Sequence, residues 1–174
     1  AETEVWRASQ EGVEVVVVNP GVILGSGFWN TGSGKIFSSV SKGLRYYTEG
    51  VTGFVGVKDV VKAMILLMDS EVKNERFILV SQNKSFKEIL FSIADALGKR
   101  RPSYKVRPWQ TSLFWRISKI LSLFTKKAPT MSKYAARSAH GVSKYSSKKI
   151  SNTLDFKFTK ITEVINDACK NVIT

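Results

Sequence analysis

The residues with the clearest potential for chemistry follow a run of four consecutive valines, Val15–Val18. Asn19, Pro20 and Gly21 come directly after this run, and Ile23 lies two residues further on. In open α/β sheets, ligands bind in the crevice beyond the carboxyl ends of the strands. We therefore predict that these four residues border a pocket. The alternative is that Pro20 and Gly21 only shape a turn.

Two aromatic residues and an amide stand in the loop that follows. Phe28, Trp29 and Asn30 lie in the segment 20–34, which is rich in glycine, serine and asparagine. Ligand pockets are mostly apolar and hold a few polar anchors, so these residues are candidates for substrate contact. A loop anchor packed on the core explains them equally well, and both interpretations stay open.

Other kinds of catalytic or metal site find little support in the sequence. His140 is the single histidine and Cys169 the single cysteine, so no cluster has metal-ligand spacing and no internal disulfide can form. No Gly-x-Ser-x-Gly elbow is present. We expect Cys169 to be a packed side chain rather than a nucleophile. A lone cysteine also fits a reducing, cytoplasmic compartment.

Alternating strands and helices predict an α/β sheet that would position the strand end. The valine run is typical of a central parallel strand buried on both faces. Asp59 is a candidate N-cap, followed by an expected buried face of Val60, Val61, Met64, Leu67 and Met68, and Ser85-Phe-Lys-Glu88 is a capping box. The predicted elements are a helix over 1–11, a strand over 13–19, a loop over 20–34, a helix over 35–42, a strand over 44–48, an extended segment over 54–57, a helix from 59, a strand over 76–81 and a helix from 85 to 97.

Residue 98 marks a change in composition, and we expect two regions, 1–97 and 98–174. The first has a net charge of −1 and the second of +14. Helices are predicted near 111–124, 132–139 and 160–172. The helix at 111–124 is amphipathic, and packing across a substrate pocket is the preferred interpretation. Docking on an anionic membrane surface is the alternative. Nucleic acid is disfavoured because no binding motif accompanies the charge, and no apolar run is long enough for a transmembrane helix.

Three segments together resemble a known family: VVVVNPGVILGSGFW, YYTEGVTGFVGVKDVVKAM and RFILVSQNKSFKEILFSIADALGK. They are similar to the extended short-chain dehydrogenases/reductases, and most of all to the NAD-dependent epimerase/dehydratase and dihydroflavonol-reductase-like groups. The resemblance covers most of residues 1–109 and continues to the C-terminus. It implies the C-terminal half of a Rossmann-type parallel sheet plus a mainly helical substrate-binding region. In the complete parent it implies NAD or NADP near Asn19, Pro20, Gly21 and Ile23, and a substrate near Phe28, Trp29, Asn30 and Phe54.

The dinucleotide fingerprint of that family is absent from the sequence, and no Tyr/Lys pair is assigned to its catalytic motif. No strand is followed by GxxGxxG, and Tyr145-Ser-Ser-Lys148 does not have the spacing of the catalytic Tyr-x-x-x-Lys. We therefore expect a C-terminal fragment with no catalytic residues of its own, inactive alone, whose partners are the missing N-terminal nucleotide-binding half and a small carbonyl or hydroxyl substrate. A homo-oligomer is left open. Gly53 lies near the position where nucleotide-sugar relatives carry a diphosphate-binding arginine, which favours a smaller or less charged substrate.

Overall fold

The computed structural model describes residues 2–27, 29–114, 116 and 137–170. Residues 108–114 and 116 are also helical. The named elements in chain order are α1 Glu2–Gln10, β1 Val16–Pro20, β2 Val22–Leu24, α2 Gly34–Ser41, β3 Tyr46–Tyr47, β4 Val51–Gly56, α3 Val57–Met68, β5 Glu75–Leu79, β6 Gln82–Ser85, α4 Phe86–Ala96, β7 Tyr104–Lys105, α5 Lys148–Leu154 and α6 Ile161–Lys170.

The strands form three small sheets in which parallel pairs predominate. β1 pairs with β5, β2 with β4, and β3 with β7, each in parallel. β6 extends the second sheet as an antiparallel neighbour of β4. Helices pack against these sheets, so the predicted α/β fold class is confirmed.

The valine strand is less buried than its sequence predicts. Val16, Val17 and Val18 are only half-buried, and Asn19 and Pro20 are exposed. β1 pairs with β5 along one edge, and no described residue pairs with the other edge. The expectation that this strand is buried on both faces was therefore wrong for this chain. A central parallel strand has strands along both edges and helices on both faces, and β1 lacks part of this cover among the described residues.

The segment predicted as one long loop contains a short strand. β2 runs from Val22 to Leu24 directly after β1, and Val22 is the partner of Phe54 in β4. The chain thus leaves one sheet at Pro20 and enters the next at Val22. Three residues are too few for a periodic pattern, which is why the composition of this segment predicted only a loop.

Helix α3 differs from its prediction at its start and in the face that it buries. Its N-cap is Gly56, while Asp59 is its third residue. The Asp59 carboxylate instead accepts hydrogen bonds from the backbone amide and the hydroxyl of Thr159, both at 2.9 Å. The inner face consists of Asp59, Val60, Ala63 and Leu67. Three residues expected to be buried are exposed: Val61 at 50%, Met64 at 44% and Met68 at 82%.

Helix α4 is formed as its sequence predicts. The Glu88 amide donates to Ser85 Oγ over 3.1 Å, and the Ser85 amide donates to Glu88 Oε2 over 2.8 Å. These are the two reciprocal bonds of a capping box. Gly43 and Gly98 have φ of 85° and 60°, so both stop signals sit in the left-handed conformation that glycine adopts most readily.

The core draws on both regions of the chain. One cluster joins Leu24 and Phe37 to residues of α6, including Ile161 and Ile165, and a second joins Phe77 of β5 to Ile150 of α5. The change at residue 98 is therefore a change in composition across one packed body, and the division into 1–97 and 98–174 stays a prediction.

The C-terminal helices are described in part. α6 lies within the predicted range 160–172, and α5 had no predicted counterpart. Of the amphipathic helix at 111–124, residues 111–114 and 116 are helical, while 115 and 117–124 lie outside the described residues. Of the helix at 132–139, only 137 and 138 are helical in the described part. No helix among the described residues has the length and apolar character needed to cross a membrane.

The open edge of β1 and the outer face of α3 lead to a prediction about association. The exposed apolar residues of α3 are Val57, Val61, Met64, Ile65, Leu66 and Met68, and we call them the outer face of α3. Contiguous apolar surface and an unpaired strand edge both favour self-association. We expect the isolated chain to oligomerise in light scattering, and the double variant Val61→Ser/Ile65→Ser to shift it towards the monomer. A compact monomer of the unmodified chain in light scattering would contradict this prediction.

Candidate functional site

The candidate site lies at the carboxyl end of β1, as the sequence predicts for a ligand site in an α/β sheet. Asn19 and Pro20 are exposed there and pair with Ile78 and Leu79 of β5. The Gly21 amide donates a hydrogen bond of 3.0 Å to the Leu79 carbonyl oxygen, which extends the pairing by one residue. Pro20 has no amide proton, so it fits a position where the chain is leaving the strand ladder.

Close backbone approach at Gly21 holds this end of the strand in place. A Cβ atom added at Gly21 would lie 2.8 Å from the Gly53 carbonyl carbon and 3.1 Å from Val80 Cγ2. One added at Gly53 would lie 2.5 Å from Val80 Cγ2. Neither position has room for a side chain, so the two glycines allow β1, β4 and the end of β5 to meet. Position 53 itself therefore has no room for an arginine side chain.

Hydrogen bonds fold the loop after β2 back onto the sheet. Ser33 Oγ donates to the carbonyl oxygen of Ile23, and Ser38 Oγ donates to that of Trp29 over 2.8 Å. Ser33 immediately precedes α2, and Ser38 lies within it. Ile23 and Trp29 are half-buried, and Asn30 is exposed.

The aromatic residues assigned to the substrate are placed differently from one another. The Trp29 ring packs edge-on against Phe37, with ring centroids 5.7 Å apart, so it anchors the loop on the core. Phe54 is completely buried and packs edge-on against Phe86. In this structure Phe54 belongs to the core and has no exposed surface for a ligand. Phe28 lies outside the described residues.

Residues 145–147 also reach this end of the sheet, a position that was not predicted from the sequence. Asn83 Nδ2 donates to the Tyr145 carbonyl oxygen over 2.8 Å, and the Tyr145 amide donates to Asn83 Oδ1 over 2.9 Å. Ser147 Oγ bonds both the amide and the carbonyl of Val80, at 2.7 and 2.8 Å. Tyr145 Cδ2 would lie 3.2 Å from a Cβ at Gly53, which places its ring beside the two glycines. No local pattern reports contacts between segments so far apart in the chain.

The strand end offers groups that could orient a ligand, and none of its described residues is a nucleophile paired with a general base. Its polar groups are the Asn19 amide, the Tyr145 phenol and backbone groups. His140 lies elsewhere, with Nε2 2.6 Å from Thr111 Oγ1. Burial, together with the charge of Lys105, lowers the pKa of His140 below its ordinary value. Within the described ranges, no group of His, Cys, Asp and Glu is arranged to hold a metal ion.

Two curated proteins match parts of this chain. Sterol demethylase protein B of Methylococcus capsulatus is 27% identical over 110 residues, which are 62% of this chain and 34% of that protein. Tetraketide alpha-pyrone reductase 2 of Arabidopsis thaliana is 32% identical over 107 residues, which are 59% of this chain and 32% of that protein. The chain thus spans about a third of the length of the curated relatives that it matches. No protein-family model matches it.

Solved structures match the fold over almost the whole chain. A nucleoside-diphosphate-sugar epimerase from Pseudomonas aeruginosa superimposes with a TM-score of 0.78 at 15% identity, covering 99% of this chain and 52% of that one. The UDP-glucose 4-epimerase of Thermus thermophilus, solved in complex with NAD, gives a TM-score of 0.68 at 17% identity over 98% of this chain and 50% of that one. Another neighbour, from Pseudomonas aeruginosa, is complexed with NADPH. The predicted resemblance to extended short-chain dehydrogenases/reductases is confirmed, and the fold is that of half of such a structure.

The close packing at the strand end predicts unequal effects of glycine substitution. Gly53→Ala should lower the free energy of unfolding by about 1–3 kcal/mol, because the added methyl group collides with Val80. Gly141→Ala is the matched control, since its Cβ would meet no atom closer than 3.5 Å. Urea denaturation of the two variants measures the difference. Equal stability of both would show that the strand end tolerates a side chain.

Cys169 should be unreactive while the chain is folded. The side chain is 2% exposed, and burial raises the pKa of its thiol to about 11. Since the thiolate is the reacting species, Ellman's reagent should label Cys169 slowly at pH 8 and rapidly after unfolding in urea. Complete labelling within seconds under native conditions would contradict the packing of α6 described above.

Proposed function

We propose that this chain is the substrate-binding, C-terminal half of an NAD(P)-dependent oxidoreductase or epimerase/dehydratase that acts on a carbonyl or hydroxyl group. The observation that carries the proposal is the extent of the structural match. Of this chain 99% superimposes on only 52% of a nucleoside-diphosphate-sugar epimerase. The curated relatives are likewise about three times as long as the matched segment.

The surfaces left open in the fold support the same proposal. β1 carries half-buried valines and an unpaired edge, and the outer face of α3 is apolar and exposed. A nucleotide-binding half that continued the sheet at β1 would cover this edge. It would also account for a valine run that is more apolar than the present burial of β1 requires.

Roles for the site residues follow from this assignment. When bound, the nicotinamide cofactor would give or take the hydride. Asn19, Pro20, Gly21 and Ile23 would line its nicotinamide end, because they lie at or just beyond the carboxyl end of β1. No residue of this chain is assigned a proton transfer. Lys149 stands four residues after Tyr145, but its ammonium pairs with Glu75.

On the substrate side we assign Asn30 and the loop around Trp29. The exposed Asn30 can offer a hydrogen bond, while Trp29 keeps the loop fixed on Phe37. Phe28 belongs to the same proposed surface, and Phe54 supports it from the core. The phenol of Tyr145 is a further candidate contact.

The alternative function is a binding module whose basic C-terminal region docks on an anionic membrane or an acidic partner. It depends chiefly on the amphipathic helix at 111–124, most of which lies outside the described residues. In the described part, Lys105 and Lys149 of this region pair with Glu49 and Glu75. These internal ion pairs take up some of the charge on which such docking would rely.

The proposal predicts that the chain alone neither turns over nor tightly binds a dinucleotide. The phosphate-binding glycine turn of this family is absent, so titration calorimetry with NADH and NADPH should show dissociation constants far above about 1 μM. Micromolar binding to the isolated chain would overturn the assignment. The complementary test is the sequence that precedes Ala1, which should contain Tyr-x-x-x-Lys and, further upstream, a glycine fingerprint.

A further inference from the structure

A cavity lies between α2, β3, α4 and the helical residues 108–114, away from the end of β1. Its volume is about 840 Å³, within the range of roughly 300–1,000 Å³ usual for small-molecule sites. We call it the tyrosine cavity. Its principal lining residues are Ile36, Tyr46, Tyr47, Leu90, Tyr104 and Phe114.

The walls of the tyrosine cavity are apolar and aromatic. Leu90 is buried and Ile36 is half-buried, and both belong to the main core or pack against it. Tyr46 and Tyr104 stand at the opening with ring centroids 5.8 Å apart and remain 59% and 58% exposed. Exposed aromatic faces of this kind favour a flat apolar ring packed against them.

Backbone and side-chain hydrogen bonds fix the outer wall. The Tyr104 amide donates to the Arg45 carbonyl oxygen and the Val106 amide to that of Tyr47, both over 2.9 Å. Thr111, which lines the cavity and is 6% exposed, contacts His140 Nε2. The cavity is therefore formed by elements that hydrogen bonds tie to one another, so binding would require little ordering of the chain.

Among the described residues, Lys35 and Lys105 are the cations that line the cavity, and only Lys105 is committed to an ion pair. Lys105 pairs with Glu49, a contact that lowers the pKa of that carboxyl. No ion pair is found for Lys35 within the described part of the chain, and it borders the same cavity. One uncommitted lysine suits a single negative charge. A diphosphate normally requires more positive charge, usually with an arginine.

We propose that the tyrosine cavity binds a flat, largely apolar ring compound whose single acidic group lies towards Lys35. The inference goes beyond the proposed function, because the tyrosine cavity is a ligand site separate from the loop of Trp29 and Asn30 to which we assign the substrate. A ligand of this kind differs from the nucleotide sugars named for several structural neighbours. It agrees with the lack of a diphosphate-binding arginine near Gly53, which favours a less charged compound.

The test uses two naphthalene probes on the chain itself. 1-Anilinonaphthalene-8-sulfonate carries one negative charge, whereas N-phenyl-1-naphthylamine is its uncharged counterpart. We expect saturable binding of the sulfonate at one site per chain. Tyr104→Ala should weaken it by about tenfold, as for the loss of one aromatic contact. Lys35→Gln should weaken the sulfonate by several-fold and leave the uncharged probe unchanged.

Two controls separate this cavity from other apolar surface. Trp109→Ala removes an equally exposed aromatic ring, 62% accessible, that does not line the cavity. Ile65→Ser removes part of the outer face of α3. Both should leave the affinity unchanged, with folding of every variant checked by circular dichroism. If Ile65→Ser abolishes binding while Tyr104→Ala has no effect, or if UDP binds as tightly as the sulfonate, the proposal is wrong. None of these readouts depends on dinucleotide binding, so the proposed function is tested separately.

Discussion

The rest of the structure depends on one close contact, in which the backbones of Gly21 and Gly53 pack directly against each other. It lets the chain pass within three residues from the parallel pair β1–β5 to the pair β2–β4. The same contact brings Val80, and with it Ser147 and Tyr145, to the carboxyl end of β1. A larger residue at either glycine would push the two sheets apart, and the loop that Ser33 and Ser38 fasten would lose its support.

A second level of organisation comes from buried polar contacts between distant segments. Asp59 at the start of α3 holds Thr159 just before α6, although the two are far apart in the chain. The carboxylate lies in the first turn of α3, where the helix dipole favours negative charge. The contact thus stabilises the helix end and the position of α6 together. It also explains why Asp59 is a structural residue even though it does not cap the helix.

Local sequence signals predicted the parts of the fold that depend on neighbouring residues alone. Examples are the capping box at Ser85 and Glu88, the glycine stops at Gly43 and Gly98, and the extended conformation of the valine run. Burial was predicted less well, because α3 has apolar residues on two faces and only packing decides which turns inward. The assignment of a ligand site to this strand end stays a prediction. The contribution of Tyr145 and Ser147 was beyond prediction, since it arises from long-range contact.

The participation of α6 in the main core has a consequence for synthesis on the ribosome. Ile161, Ile165 and Cys169 complete a cluster that begins with Leu24 and Phe37. At roughly 5–20 residues per second, the early part of this cluster would wait on the order of ten seconds for its last members. During that interval the nascent chain keeps apolar surface uncovered, and it is then a natural client for a ribosome-associated chaperone.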